Sequence, residues 1–402
     1  ISITSVEQII SGLTLAYLVK QNRPEIHIII GGSVFTKLVD RLENDGSPLF
    51  DFVDSFIVHE GETPLLRLVE HLRGDGDLSK VPNLIYRQGG QVKVNRPFAK
   101  EELNALPTPD FDGLPLDLYL APDRVLPVMG SRGCYWEKCA FCSIPFDHME
   151  FHVRYAENVV NDFKTLQKKY NCNHFFFTDE ALPINFLRTF AAKIIEEKID
   201  VQWTGELKFE KSLLKDDRMD LLYKSGCRKL IFGLESYNQR VLDSMKKGVE
   251  LSWVDETAER CMKLGIAMHF YLICGFPTET REEVMDSINF ILDNQRLLDS
   301  PGFSAILSQF DLERGAPIEK NPAEWGIKNL YTPPEHDLSL GYSYETTIGM
   351  NSEEITELYQ QLIEKLGREV MTFPHNYSLS DGLLYLAHHQ HNSLTERLGA
   401  LV

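Results

Sequence analysis

Long apolar runs are missing from this chain of 402 residues. The triplet Ile28-Ile29-Ile30 stops at Gly31-Gly32, far short of the roughly 18 residues that cross a bilayer, and no secretory apolar region is visible. Positive charge is short as well. The chain has 41 Lys plus Arg against 59 Asp plus Glu, a formal net charge of −18, which argues against broad electrostatic binding to nucleic acid or an anionic membrane. Cysteine is sparse: seven, an odd number, do not make a disulfide scaffold. Cys172, Cys227, Cys261 and Cys274 lie scattered near apolar stretches and read as small buried hydrophobes. There is no internal repeat and no low-complexity tract. What is present, 43% hydrophobic and 25% charged residues, is the balance of a globular protein with a sizeable core, and the length suits two or three domains.

The pattern along the chain divides it into four. Over residues 1–75 a strand-like opening, a helical repeat (Val6, Ile9, Ile10, Leu13, Ala16, Tyr17), a buried strand at 26–30 and another at 52–58 alternate. Such alternation predicts part of a doubly wound, parallel sheet. The chain opens on Ile1 within a strand, so its natural N-terminus is expected further upstream. Residues 76–125 read as a linker with a small hairpin (83–87 and 91–95) and then Pro107, Pro109 and Pro115. Over 126–318 strand–helix units return, with strands beginning near 126, 174, 201, 228, 268 and 303. Six such units predict a partial, TIM-like (β/α)6 barrel, whose functional residues belong where strands end. Residues 319–402 read as a mainly helical extension. His388, His389 and His391 lie there, but neighbouring histidines on a helix point in different directions, and an exposed polar face is the simpler reading.

The chemistry concentrates in Gly133-Cys134-Tyr135-Trp136-Glu137-Lys138-Cys139-Ala140-Phe141-Cys142. Four residues separate the first two cysteines and two separate the next, so one short loop delivers three thiolates to one place. A structural zinc site takes four ligands from two separated pairs, and no second pair exists here. Three thiolates suit a four-iron cluster with one iron left open. The loop follows the first barrel strand.

This loop resembles the cluster motif of the radical S-adenosylmethionine (SAM) superfamily, although members commonly space the first two cysteines by three residues rather than four. The resemblance implies a [4Fe–4S] cluster on Cys134, Cys139 and Cys142, with SAM chelated at the open iron and cleaved to methionine and a 5′-deoxyadenosyl radical. It places Phe141 beside the adenine. The acids ending the apolar strand His174–Phe177, Asp179 and Glu180, match the position that holds the SAM ammonium; capping of the helix that follows is the alternative. Glu206 ends the next strand in Trp203-Thr204-Gly205-Glu206. Glu235 and Ser236, in Gly233-Leu234-Glu235-Ser236, match a position that touches the ribose or methionine moiety, with helix capping again the alternative. Ile273 and Gly275 match the segment that packs on adenine, where a glycine lets backbone approach a planar ligand.

The N-terminal part resembles the cobalamin-binding domain of one large branch of that superfamily, through Ser2, Ser5, Gly31, Gly32, Glu60 and Gly61. The Gly-Gly turn also serves as ordinary punctuation between strand and helix. The resemblance implies a cobalamin-dependent methyltransferase acting at an unactivated carbon. The Trp136 loop and the Trp203 strand resemble members that mature peptide natural products, so a precursor peptide or a small molecule is the expected substrate. A flavodoxin- or ferredoxin-type electron donor and a cytoplasmic setting go with it, with no nucleic acid and no membrane. Two alternatives stay open: cobalamin-independent radical SAM chemistry such as sulfur insertion or rearrangement, and a non-catalytic iron–sulfur protein for electron transfer or sensing.

Overall fold

The computed structural model describes residues 1–44, 47–119, 123–147, 150–333 and 338–369; His388, His389 and His391 lie outside them. Ser2 bridges Gly31 in parallel, laying the opening residues beside β1 (Ile29–Ile30), which pairs in parallel with β2 (Ser55–Ile57). β3 (Leu84–Gln88) and β4 (Gln91–Val94) complete a four-stranded sheet in the order β1-β2-β3-β4. Phe56 at its centre packs on Phe35 and Phe50, with ring centroids 5.1 and 5.4 Å away. The pattern predicts a wholly parallel sheet and a free hairpin. Instead the hairpin joins the sheet, β3 running antiparallel to β2. Leu84, Ile85 and Tyr86 are all buried, as befits an inner strand, whereas β4 alternates in exposure like an edge.

The larger unit begins with β5 (Val125–Val128), followed by a short antiparallel pair, β6 (Ser131–Arg132) and β7 (His152–Val153). Then come β8 (His174–Phe177), β9 (Gln202–Leu207), β10 (Cys227–Glu235), β11 (Ala267–Cys274) and β12 (Ser304–Gln309). Apart from the β6–β7 pair, these form one six-stranded sheet in the order β12-β11-β10-β9-β8-β5, and every pairing in it is parallel. This is the expected (β/α)6 arc: consecutive strands are neighbours, and a helix lies on each return path. Helix Ala156–Tyr170 shows why. Val159, Val160, Phe163 and Leu166 recur at helical spacing and are fully buried, with Phe163 4.2 Å from Phe175 of β8. Left-handed Asn171 ends that helix. A capping box of Thr280 and Glu283 starts helix Arg281–Leu292.

The described part of the extension is mainly helical, as expected, opening with the short helical turns Pro317–Lys320 and Pro322–Trp325; an antiparallel pair, β13 (Ile327–Tyr331) and β14 (Ser343–Thr346), is set between them and the last helix. Helix Ser352–Glu369 follows, and its Ile355, Leu358, Leu362 and Leu366 enter the main core.

Candidate functional site: a three-cysteine loop between two sheets

The cysteine loop runs between β6 and β7, beyond the C-terminal end of β5. Its four-residue spacing is accommodated by a left-handed turn at Glu137 (φ 51°), whose Oε1 accepts the Phe151 N–H at 3.0 Å. Trp136 anchors the bulge. Its indole N–H donates to the Lys246 carbonyl at 2.9 Å, and its ring fills a recess at Gly248, where a Cβ would stand 2.1 Å from the ring. The ammonium groups of Lys208 and Lys138 lie 4.2 and 4.8 Å from the ring centroid. Buried Ala140 donates to the Met245 carbonyl at 2.8 Å, and its own carbonyl accepts the Ile318 N–H at 2.9 Å.

Cys134, Cys139 and Cys142 are free and half-buried, and the Cys142 N–H donates to the Cys139 carbonyl at 3.3 Å. Burial raises the Cys139 thiol and pushes that of Cys142 up to about 12, with the other cysteines' charges adding to both. Lys247 opposes this at both thiols. It is largely shielded from solvent and paired with Glu235 at 2.6 Å, and Lys208 adds a second cation near Cys139. No described group of three His, Cys, Asp or Glu side chains is tight enough for a single metal ion. A four-iron cluster asks for something wider, since each thiolate binds its own iron. Three thiols on one pinned loop, faced by the Lys247 and Lys208 ammonium groups, fit such a cluster. The raised pKa values of Cys139 and Cys142 mean that loading releases their protons.

Acids line the neighbouring strand ends. Glu180 is exposed, beyond β8. Glu206 of β9 is pushed up to about 8 by burial and by the charges of Glu180 and Glu235, while the Tyr271 hydroxyl donates to it at 3.2 Å. Glu235 sits at φ 64° at a bulge in β10. Phe141 lies 5.7 Å below the Lys247 ammonium and shares an apolar cluster with Ile273.

Three expected SAM contacts have partners within the protein. Asp179 is buried, accepting the Gly130 N–H at 2.9 Å and the Ser131 hydroxyl at 2.5 Å, so it ties the end of β8 to the segment that leads into the cysteine loop. Ser236 is fully buried, 3.3 Å from the Ser287 hydroxyl of the outer helix. Gly275 has φ 87°, and the space a Cβ would need is taken by Ile355, 2.5 Å away. Trp203 is likewise a core residue, its indole donating to Ser225.

Beside the loop, at the C-terminal ends of β1 and β2, lies a cavity of about 440 Å³. Ser2, Gly31, Gly32, Glu60 and Gly61 all line it, together with Arg132 from the barrel side. Gly32 is obligatory: at φ 112° a Cβ would stand 2.1 Å from the Ile3 carbonyl oxygen. Ser5 is not among the lining residues; its hydroxyl is spent on Glu7. Sequence reasoning missed Arg132, Lys208 and Lys247, because a single basic residue carries no pattern until its distant partner is known.

Across residues 128–291 this chain matches the family model for the radical SAM superfamily. It is 28% identical over 287 residues to an uncharacterised methyltransferase of Pyrococcus horikoshii, covering 69% of this chain and 60% of that protein. The chain spans between 40% and 60% of the length of the first curated relatives it matches. Its fold is shared with the radical SAM methyltransferase TsrM of Kitasatospora setae (TM-score 0.68, 15% identity, 92% of this chain and 77% of that one). It is shared too with OxsB, a cobalamin-dependent radical SAM enzyme seen with aqua-cobalamin and SAM (TM-score 0.70, 16% identity, 99% of this chain and 63% of that one).

Proposed function

We propose that this chain carries the catalytic core, residues 126–318, of a cobalamin-dependent radical SAM methyltransferase. Residues 1–75 supply part of the cobalamin groove, and residues 319–402 are an extension of the core. Cys134, Cys139 and Cys142 hold a [4Fe–4S] cluster in this reading. When bound, the cluster supplies the electron that splits the SAM sulfonium into methionine and a 5′-deoxyadenosyl radical, and cobalamin supplies the methyl group. The chain's own residues do the rest. Glu180, Glu206 and Glu235 present carboxyl groups to the polar parts of SAM, and Phe141 and Ile273 offer it an apolar surface. Lys247 offsets the negative charge of the thiolates. The target is an unactivated carbon of a peptide or other natural product, the electron donor is of flavodoxin or ferredoxin type, and the setting is cytoplasmic. No helix among the described residues is long and apolar enough to cross a membrane.

One observation carries this reading: the three-thiol loop and the groove lined by Ser2, Gly31, Gly32, Glu60 and Gly61 share a boundary residue, Arg132. Anaerobic reconstitution with iron and sulfide should load one four-iron cluster per chain, with an EPR spectrum that changes on adding SAM. Dithionite should then release 5′-deoxyadenosine, and a Cys→Ala change at any of the three positions should abolish both. A chain that takes up only zinc would sink the proposal. If SAM is cleaved but hydroxocobalamin does not bind, the cobalamin-independent alternative takes its place.

A further inference from the structure

Both ends of the cysteine loop are fastened to the N-terminal sheet by charged groups. Arg132 stands two residues before Cys134. Its guanidinium pairs with Glu62, with one N–H···O contact at 3.2 Å, and lies 3.5 Å from Glu60. Both acids come from the groove lip after β2, and the side chains of Arg132 and Glu60 are only 17% and 3% exposed, so solvent screens them little. His152 of β7, opposite Arg132 in the β6–β7 pair, approaches the other Glu60 oxygen at 3.1 Å. The far end of the loop is held in the same way. Ser143, buried and next to Cys142, donates to Glu313 at 2.9 Å. Glu313 pairs in turn with Lys37 of the N-terminal unit at 2.8 Å. Arg314, the next residue, lies 3.5 Å from Asp40 of the same unit. The groove is thus held in register with the thiols by two separate ionic ties.

We propose that Arg132 and the Lys37–Glu313 pair are positioning residues that fasten the cysteine loop at both ends to the groove-bearing sheet, fixing the distance between the two halves of the cofactor site. The proposal rests on the reading of loop and groove as one site, but its geometry can be tested without any cofactor. Neither Lys37 nor Glu313 is near the cysteines in sequence. Removing Lys37 leaves Glu313 without its cation, and removing Arg132 leaves exposed Glu62 and buried Glu60 without theirs; for Glu60 that is costlier than never having had the pair.

The test is hydrogen exchange on the metal-free 402-residue chain. Arg132→Met should speed exchange over residues 133–139 and 59–62, and Lys37→Met over 143–146. Each change should be roughly tenfold, the scale of one lost charge-assisted hydrogen bond. Strand β9 serves as the unmoved reference, and Arg132→Lys should restore most of the protection. In reconstituted protein both Met variants should lose iron to a chelator several-fold faster, with a broadened EPR signal from the reduced cluster. Unchanged exchange in these segments, or an equal rise throughout the chain, overturns the proposal. A native chain that shows the exchange pattern but loads no iron would leave the bracket standing and bring down the cofactor reading; the opposite result would do the reverse.

Discussion

Asp179 shows how far a residue's type can be read without its partners. A carboxylate at a strand end suggests a ligand contact, yet both its oxygens are taken by Gly130 and Ser131. Burial raises it from 3.8 to about 7, against the lowering effect of those hydrogen bonds. Between those two pH values the folded chain keeps a proton that the unfolded chain has lost. This group's contribution therefore falls as pH rises through the window, with a slope of at most roughly 1.4 kcal/mol per pH unit. Asp179→Asn retains an acceptor for Gly130 and cannot ionise. Urea unfolding from pH 4 to 8 should therefore give a flatter stability profile for the variant than for the native chain. A parallel profile would mean that Asp179 does not hold its proton.

At the level of elements, the barrel was legible and its cross-ties were not. Strand starts expected near 126, 174, 201, 228, 268 and 303 are found at Val125, His174, Gln202, Cys227, Ala267 and Ser304, because each is a short apolar run bounded by a helical repeat. The β13–β14 pair escaped notice: its strands are short, with Pro333 and Pro334 in the connection, and only Ile327 among their residues is buried. Gly275 reads as a ligand-facing glycine from its flanks, yet the side chain against it is Ile355, beyond reach of any local pattern. Gly275→Ala should therefore destabilise the chain through two causes, the positive φ of 87° and the Ile355 contact. Adding Ile355→Ala should recover the steric share but leave the backbone share of roughly 1 kcal/mol, against the 2–5 kcal/mol cavity cost of Ile355→Ala alone. A double-mutant cycle on thermal unfolding reads this coupling directly; strict additivity would show that the two sites do not meet.

For the molecule as a whole, the cysteines bear on how it survives before it is loaded. Burial leaves Cys139 raised and Cys142 at about 12, while Cys172, Cys227, Cys261 and Cys274 are buried and raised as well. Thiols that keep their protons are poor nucleophiles. Iodoacetamide at neutral pH should thus alkylate Cys142 far more slowly than a free cysteine, with a rate that still climbs beyond pH 9; a plateau near pH 8.5 would contradict this. Before loading, Cys139, Cys142 and the four core cysteines are consequently slow to oxidise or cross-link. At those six positions the bare polypeptide tolerates air better than a protein whose thiols are already ionised.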